Sequence, residues 1–225
     1  MQKAELLSNL NFASIDTLVF AGGGNRCCWQ AGAISHLLQQ DALLPAQLVG
    51  TSAGAAVAAS CITDGPKAAL AACVRLYANQ RRIFDWPGLA RLKFGFAHQH
   101  VYPAWVAAFV HAGNFDALRG AGTQLRVALT RPARALGVTG SIAAGTLAYV
   151  VDKHLWHSIH PRLPKLFGLR QDFLDLHRCA NVTEAQALLC AAAAAPPFMS
   201  SRQIGAQRAL PCMRRFRMEK WMRPY

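Results

Sequence analysis

Acidic residues are scarce in this 225-residue chain: 11 Asp and Glu stand against 24 Lys and Arg, a formal net charge of +13 at pH 7. That imbalance makes polyanions the natural partners, either an anionic membrane surface or nucleic acid. Charged residues of any kind make up only 16% while hydrophobic residues make up 53%, which excludes a disordered chain and points to one ordinary folded domain. Long apolar runs are missing too. The stretches near 142–151 and 188–198 are too short or too broken by Gly and Pro to cross a bilayer. Met1 to Asn11 holds no apolar block resembling a signal peptide, so a cytoplasmic and at most membrane-peripheral location is expected. No Cys-x-x-Cys pair occurs among the seven cysteines, so neither a zinc site nor a redox motif is indicated, and buried free thiols are expected.

What is present begins with Thr17-Leu18-Val19-Phe20-Ala21, which reads as a buried strand. It runs into Gly22-Gly23-Gly24-Asn25-Arg26, and the spacing from Cys28 to Gln40 then predicts a helix ended by Pro45. Leu48-Val49 leads into Gly50-Thr51-Ser52-Ala53-Gly54 and a helix of small residues to about Thr63. Strand, glycine loop, helix, strand, serine turn, helix is a βαβα opening, which implies parallel strands covered by helices. Further on, Lys67 to Gln80 and Glu184 to Ala195 read as helices, and Tyr102 to Leu118 as an apolar helical stretch. Gln124 to Thr130 alternates as a strand, with Thr146 to Val151 expected as its neighbour. Arg81 to Gln99 carries no clear pattern.

Gly-x-Ser-x-Gly between a strand and a helix is the pattern of a nucleophile elbow, a turn that exposes a serine hydroxyl. Gly50 and Gly54 lack side chains where the backbone doubles back, and the helix that follows directs free N–H groups toward an oxyanion formed at Ser52. The triple glycine loop admits two chemistries. Phosphate binding fails, since a P-loop needs Gly-Lys-Ser/Thr where this chain has Gly24-Asn25-Arg26. A dinucleotide fingerprint needs glycine where Cys27 stands. An oxyanion hole of consecutive backbone N–H groups remains.

These two segments, Leu18 to Cys27 and Val49 to Ala55, resemble the patatin-like phospholipase family in order, spacing and flanking strands. The resemblance implies an α/β three-layer fold with a mainly parallel central sheet and helices on both faces, over about residues 15–210. It implies acyl-ester hydrolysis of a phospholipid or neutral lipid by a Ser–Asp dyad, with no metal or cofactor. Ser52 would be the nucleophile, and Gly22, Gly23, Gly24, Asn25 and Arg26 the oxyanion loop; the glycine that often closes that loop is Cys27 here. Ala191 to Phe198 is similar to the small-residue and proline segment before the family's last motif. That motif should read Asp-Gly-Gly or Asp-Gly-Ala, yet Gly205 to Cys212 contains no aspartate, and none follows. The departure near Pro211 reads as truncation or a change of frame, leaving 211–225 as a basic, disordered tail with five basic residues against Glu219.

Substitutes for the missing base are few. Asp64-Gly65 falls at the far end of the helix after Ser52, and Asp172 or Asp175 with His177 would follow a Ser…Asp…His order but reads as a solvated helix face. His154, His157 and His160 lack companion ligands for a metal. A lipid- or protein-binding pseudoenzyme is therefore the alternative to an acyl hydrolase, and binding of nucleic acid a weaker third reading.

Overall fold

The computed structural model describes residues 15–39, 43–78, 80, 95–154, 166–194, 202–204 and 207–211. Most of the unassigned Arg81 to Gln99 stretch, the N-terminal segment, His157, His160 and the tail beyond Pro211 lie outside the described residues.

Strand β1 (Thr17–Phe20) leads through the glycine loop and a 3-10 turn (Gly24–Cys27) into helix α1 (Cys28–Leu38). Strand β2 (Gln47–Thr51) then turns at Ser52 into α2 (Ala53–Ile62), followed by α3 (Pro66–Ala78). Pro66 opens α3, where its missing N–H costs no helical bond. Helices α4 (His98–Ala107) and α5 (Phe115–Gly120) precede β3 (Gln124–Arg131). The chain continues with α6 (Gly137–His154), β4 (Arg170–Asp175), α7 (Val182–Ala192), and the hairpin of β5 (Arg202–Ile204) and β6 (Gln207–Pro211). Strands β1, β2 and β3 are parallel, with Leu18 opposite Leu48 and Leu48 opposite Leu125, while β4 runs antiparallel along Arg126–Arg131 of β3. The class is α/β with a mainly parallel sheet, in agreement with the expectation from sequence.

Two sequence expectations are corrected. Thr146 to Val151 is no strand but the second half of α6. Among its positions of described burial, Ser141, Gly145, Ala148 and Asp152 are the buried ones, a period of three and four that only a helix satisfies. Asp172 and Asp175 lie on strand β4, not on a helix face, with Leu174 of that strand packed against the core. The apolar stretch from Tyr102 to Leu118 is two helices. Asn114 breaks it: its side-chain amide donates to Phe109 O at 2.9 Å and to Asp64 Oδ1 at 2.9 Å, and its Oδ1 accepts from His111 N at 3.0 Å. The last helix starts at Val182, two residues before the expected Glu184, because Asn181 Oδ1 caps the Glu184 N–H at 2.9 Å.

The core is centred on α2, whose residues Ala53 to Ser60 are all buried. Small side chains let this helix lie close on the sheet, and bulk comes from elsewhere. Tyr102, Trp105 and Phe109 stack edge-to-face down α4 and the turn after it, with ring centroids 5.6 and 5.3 Å apart. The buried Trp105 indole N–H donates to Ala69 O at 2.7 Å, tying α4 to α3. Trp105→Phe leaves that carbonyl without its donor and opens space beside Phe109. We expect a loss of about 2–3 kcal/mol, read as a lower urea midpoint with unchanged slope.

Candidate functional site

Ser52 sits at φ 54° and ψ −132°, and among the described residues it is the sole non-glycine with positive φ. A side chain is held in this sparsely populated region only where its surroundings leave no alternative. Those surroundings are backbone. A Cβ on Gly50 would stand 2.3 Å from Ala55 Cα, and one on Gly54 would stand 2.5 Å from Ala21 O and 2.6 Å from Phe20 O. The crossing of β1, β2 and α2 is thus too tight for any side chain at either glycine. The Ser52 hydroxyl makes no capping bond to the helix it precedes. Its carbonyl accepts from Ala55 N at 2.9 Å and from the Tyr102 hydroxyl at 3.3 Å. Tyr102 is fully buried, and burial keeps its phenol well above the usual range, so it remains a donor.

The glycine loop lies against this turn. A Cβ on Gly22 would meet Ser52 Cβ and Thr51 O, each at 3.2 Å, so the backbone of Gly22 is the wall facing the serine. Gly24 takes φ +58° as the loop enters its 3-10 turn. The loop is anchored one residue earlier. Gln30 on α1 donates from Nε2 to Ala21 O at 2.8 Å and accepts from Ala21 N at Oε1 at 3.0 Å, clamping that peptide from both sides. The Cys27 thiol also donates to Ala21 O at 3.2 Å; burial, above all, pushes it up to about 11, which keeps the proton in place. Cys27 thus supplies a bond that a glycine at this position could not. Asn25 and Arg26 are exposed at the turn.

Behind the loop is a small recess lined by Gly24, Asn25, Cys28, Cys73, Tyr77 and His98, among others. The Tyr77 hydroxyl lies 3.3 Å from His98 Nδ1. Burial lowers the His98 pKa, which keeps the ring neutral, and burial raises that of Tyr77, against which the hydrogen bond from the Asn25 side chain acts.

None of the substitute bases is brought to Ser52. Asp64 sits beyond the far end of α2, bonded to Asn114 and, at 3.1 Å, to His111 Nε2; the Asn114 bond foremost holds its carboxyl below the usual range. His177 Nδ1 accepts from Leu125 N at 3.4 Å, and Leu125 pairs with Leu48, about 10 Å along β2 from the turn. Asp175 pairs with Arg126 at 3.3 Å and Arg178 at 3.1 Å, while Asp172 pairs with Arg131. Both lie on β4, two strands from β2. His154 ends α6, and among the described residues no three His, Cys, Asp or Glu side chains gather as a metal would require.

The strand register adds what the sequence did not reveal. With β4 along one edge of β3, strands β2 and β6 must share the other. Thr51 is opposite Ala128, and Pro211 is opposite the next residue, Leu129. Strand β6 therefore ends against the Ser52 turn. Gln30, Tyr102 and Cys27 were likewise missed, although Gln30 betrays itself as a polar residue on the buried face of α1 beside Ala31 and Ile34.

A mainly parallel sheet carrying a serine on a strained strand-to-helix turn, faced by a glycine loop, defines an α/β domain. Residues 18–213 match the family model for patatin-like phospholipase, and the chain belongs to that family, whose members act on lipid substrates. Searches of curated proteins and of solved structures return no match.

Gly50→Ala and Gly22→Ala should separate fold from site. We expect the first to cost at least about 3 kcal/mol, since backbone must move. The second should cost no more than about 1–2 kcal/mol, since its contacts need give only tenths of an ångström. Thermal unfolding of the two variants beside the parent measures this.

Proposed function

We propose that the chain is a serine-dependent lipid acyl hydrolase. The observation that carries this reading is the positive-φ Ser52 turn packed against Gly22. In this reading the Ser52 hydroxyl attacks a fatty-acyl ester carbonyl. Backbone N–H groups of Gly22, Gly23 and Gly24, with the first turn of α2, stabilise the oxyanion, and water then releases the fatty acid. Asn25 and Arg26 complete the loop. The Tyr102 and Gln30 bonds hold the two backbone segments in place, so the donors need no reorganisation as charge develops. Asp64, Asp172 and Asp175 are all engaged elsewhere, so the serine lacks these acceptors for its proton and turnover is slow. On a short-chain nitrophenyl ester we expect the purified chain to exceed the buffer rate, and Ser52→Ala at equal folded concentration to fall to it.

A second reading, a pseudoenzyme that binds lipid without cleaving it, is favoured by one observation. The resemblance calls for an aspartate where β6 meets the turn, and Pro211 stands there with no carboxylate. Equal rates for the parent chain and Ser52→Ala, with fatty acid still bound, would establish it.

In either reading the lipid surface is met near the glycine loop. Trp29 and Val74 are 69% and 68% exposed on α1 and α3, beside exposed Arg26 and Arg75, and neither helix carries an acidic residue. An amphipathic tryptophan flanked by cations suits an anionic headgroup layer. We expect the chain to sediment with phosphatidylglycerol-containing vesicles at low salt. Binding should fall steeply at 1 M salt, and several-fold in Trp29→Ser.

A further inference from the structure

Cys28 and Cys73 belong to neither the turn nor the loop clamp, yet they meet. Cys28 is the first residue of α1, immediately after the glycine loop, and Cys73 lies in the middle of α3. Their sulfurs are 3.5 Å apart, both residues are half-buried, and both line the recess behind Gly24 and Asn25. Two other described cysteines are committed to backbone carbonyls: Cys27 to Ala21 O at 3.2 Å and Cys61 to Val57 O at 3.3 Å. A disulfide brings its sulfurs to about 2.05 Å, so closure here needs an approach of about 1.5 Å between side chains that already point at each other.

We propose that Cys28 and Cys73 form an oxidisable dithiol site, which a hydroperoxide converts to a disulfide that staples α1 to α3 behind the glycine loop. Burial, followed by the neighbouring Cys28 sulfur, pushes the Cys73 thiol up to about 12, so Cys73 keeps its proton until the second step. The Cys28 thiolate attacks one peroxide oxygen. An S–O bond forms, the O–O bond breaks, and the departing oxygen leaves as water after taking a proton, giving a sulfenic acid. The Cys73 sulfur then attacks the Cys28 sulfur, its proton passing to the departing hydroxide as a second water. Two thiols and one hydrogen peroxide thus yield one disulfide and two waters; each sulfur loses one electron and the peroxide gains two. A dithiol reductant reverses the link by exchange. The bridge closes a span that contains the whole β2–Ser52–α2 crossing, so it removes freedom from the unfolded chain and stiffens the setting of the loop.

The test uses the full unsubstituted chain, treated with one equivalent of hydrogen peroxide, alkylated under denaturing conditions and digested without reductant. Mass spectrometry should find the Cys28 and Cys73 peptides joined, two hydrogens lighter than their sum, and separate after dithiothreitol. The oxidised chain should melt roughly 5–15 °C above the reduced one, a difference absent in Cys73→Ser. Recovery of both cysteines alkylated, a sulfinic acid at either without the link, or a linked chain with an unchanged melting temperature would overturn the proposal. The measurement does not depend on ester hydrolysis, so its outcome is separate from that of the Ser52 reading.

Discussion

Everything near the site depends on one steric constraint, the crossing of backbone over backbone where β1, β2 and α2 meet. Gly54 brings the first turn of α2 against the carbonyls of Phe20 and Ala21, and Gly50 brings β2 against Ala55. With both glycines in contact, the single residue that joins strand to helix must reverse direction sharply, and Ser52 takes positive φ to do so. The strain of that conformation, of order 1–3 kcal/mol, is offset by the burial of α2 from Ala53 to Ser60 and the packing around it. The alanines follow from the same constraint. A larger residue on α2 would lift the helix from the sheet and release the turn.

A second layer of polar contacts converts this crossing into a defined surface. Ala21 is the last residue before the glycines, and both its peptide groups are taken by Gln30, so the loop leaves β1 from a fixed point. On the other side, the Tyr102 hydroxyl reaches the Ser52 carbonyl from a helix anchored through Trp105 to α3. These bonds come from positions 30 and 102, far apart in the chain, yet they hold two segments that lie against each other, Gly22 beside Ser52. Around them Asp64, Asp172 and Asp175 are paired elsewhere. Asp64 organises the turn between α4 and α5, while Asp172 and Asp175 pair with arginines along β3 and β4. Where the family resemblance expects a carboxylate, the register instead brings the end of β6, with Pro211, to the turn.

Much of this was legible in the residues because it rests on local chemistry. Glycines at 50 and 54 around a serine, between an apolar strand and a run of small residues, can satisfy only a narrow set of backbone geometries. The alternation of Gln124 to Thr130 matched β3 because Leu125, Val127 and Leu129 on one face are buried while Arg126 and Thr130 on the other are only partly so. The misreadings have physical causes too. Thr146 to Val151 is rich in β-branched and apolar residues, but its neighbours from Gly137 onward extend the pattern to a helical period visible only over the longer window. Asp172 and Asp175 sit three apart, which suits a helix face as well as a strand whose polar groups pair with a neighbouring strand.

By itself the sequence determined the βαβα opening, the serine turn and the glycine loop, since each follows from steric and hydrogen-bonding needs within about a dozen residues. The tertiary structure alone decided which distant groups serve that turn. Gln30 clamps Ala21, Tyr102 reaches Ser52, Cys28 touches Cys73, and β6 rather than an aspartate-bearing segment of β4 ends beside the elbow. Such contacts depend on how helices pack and in which register strands pair. Both are set by burial summed over the whole domain, which no short window of residues contains.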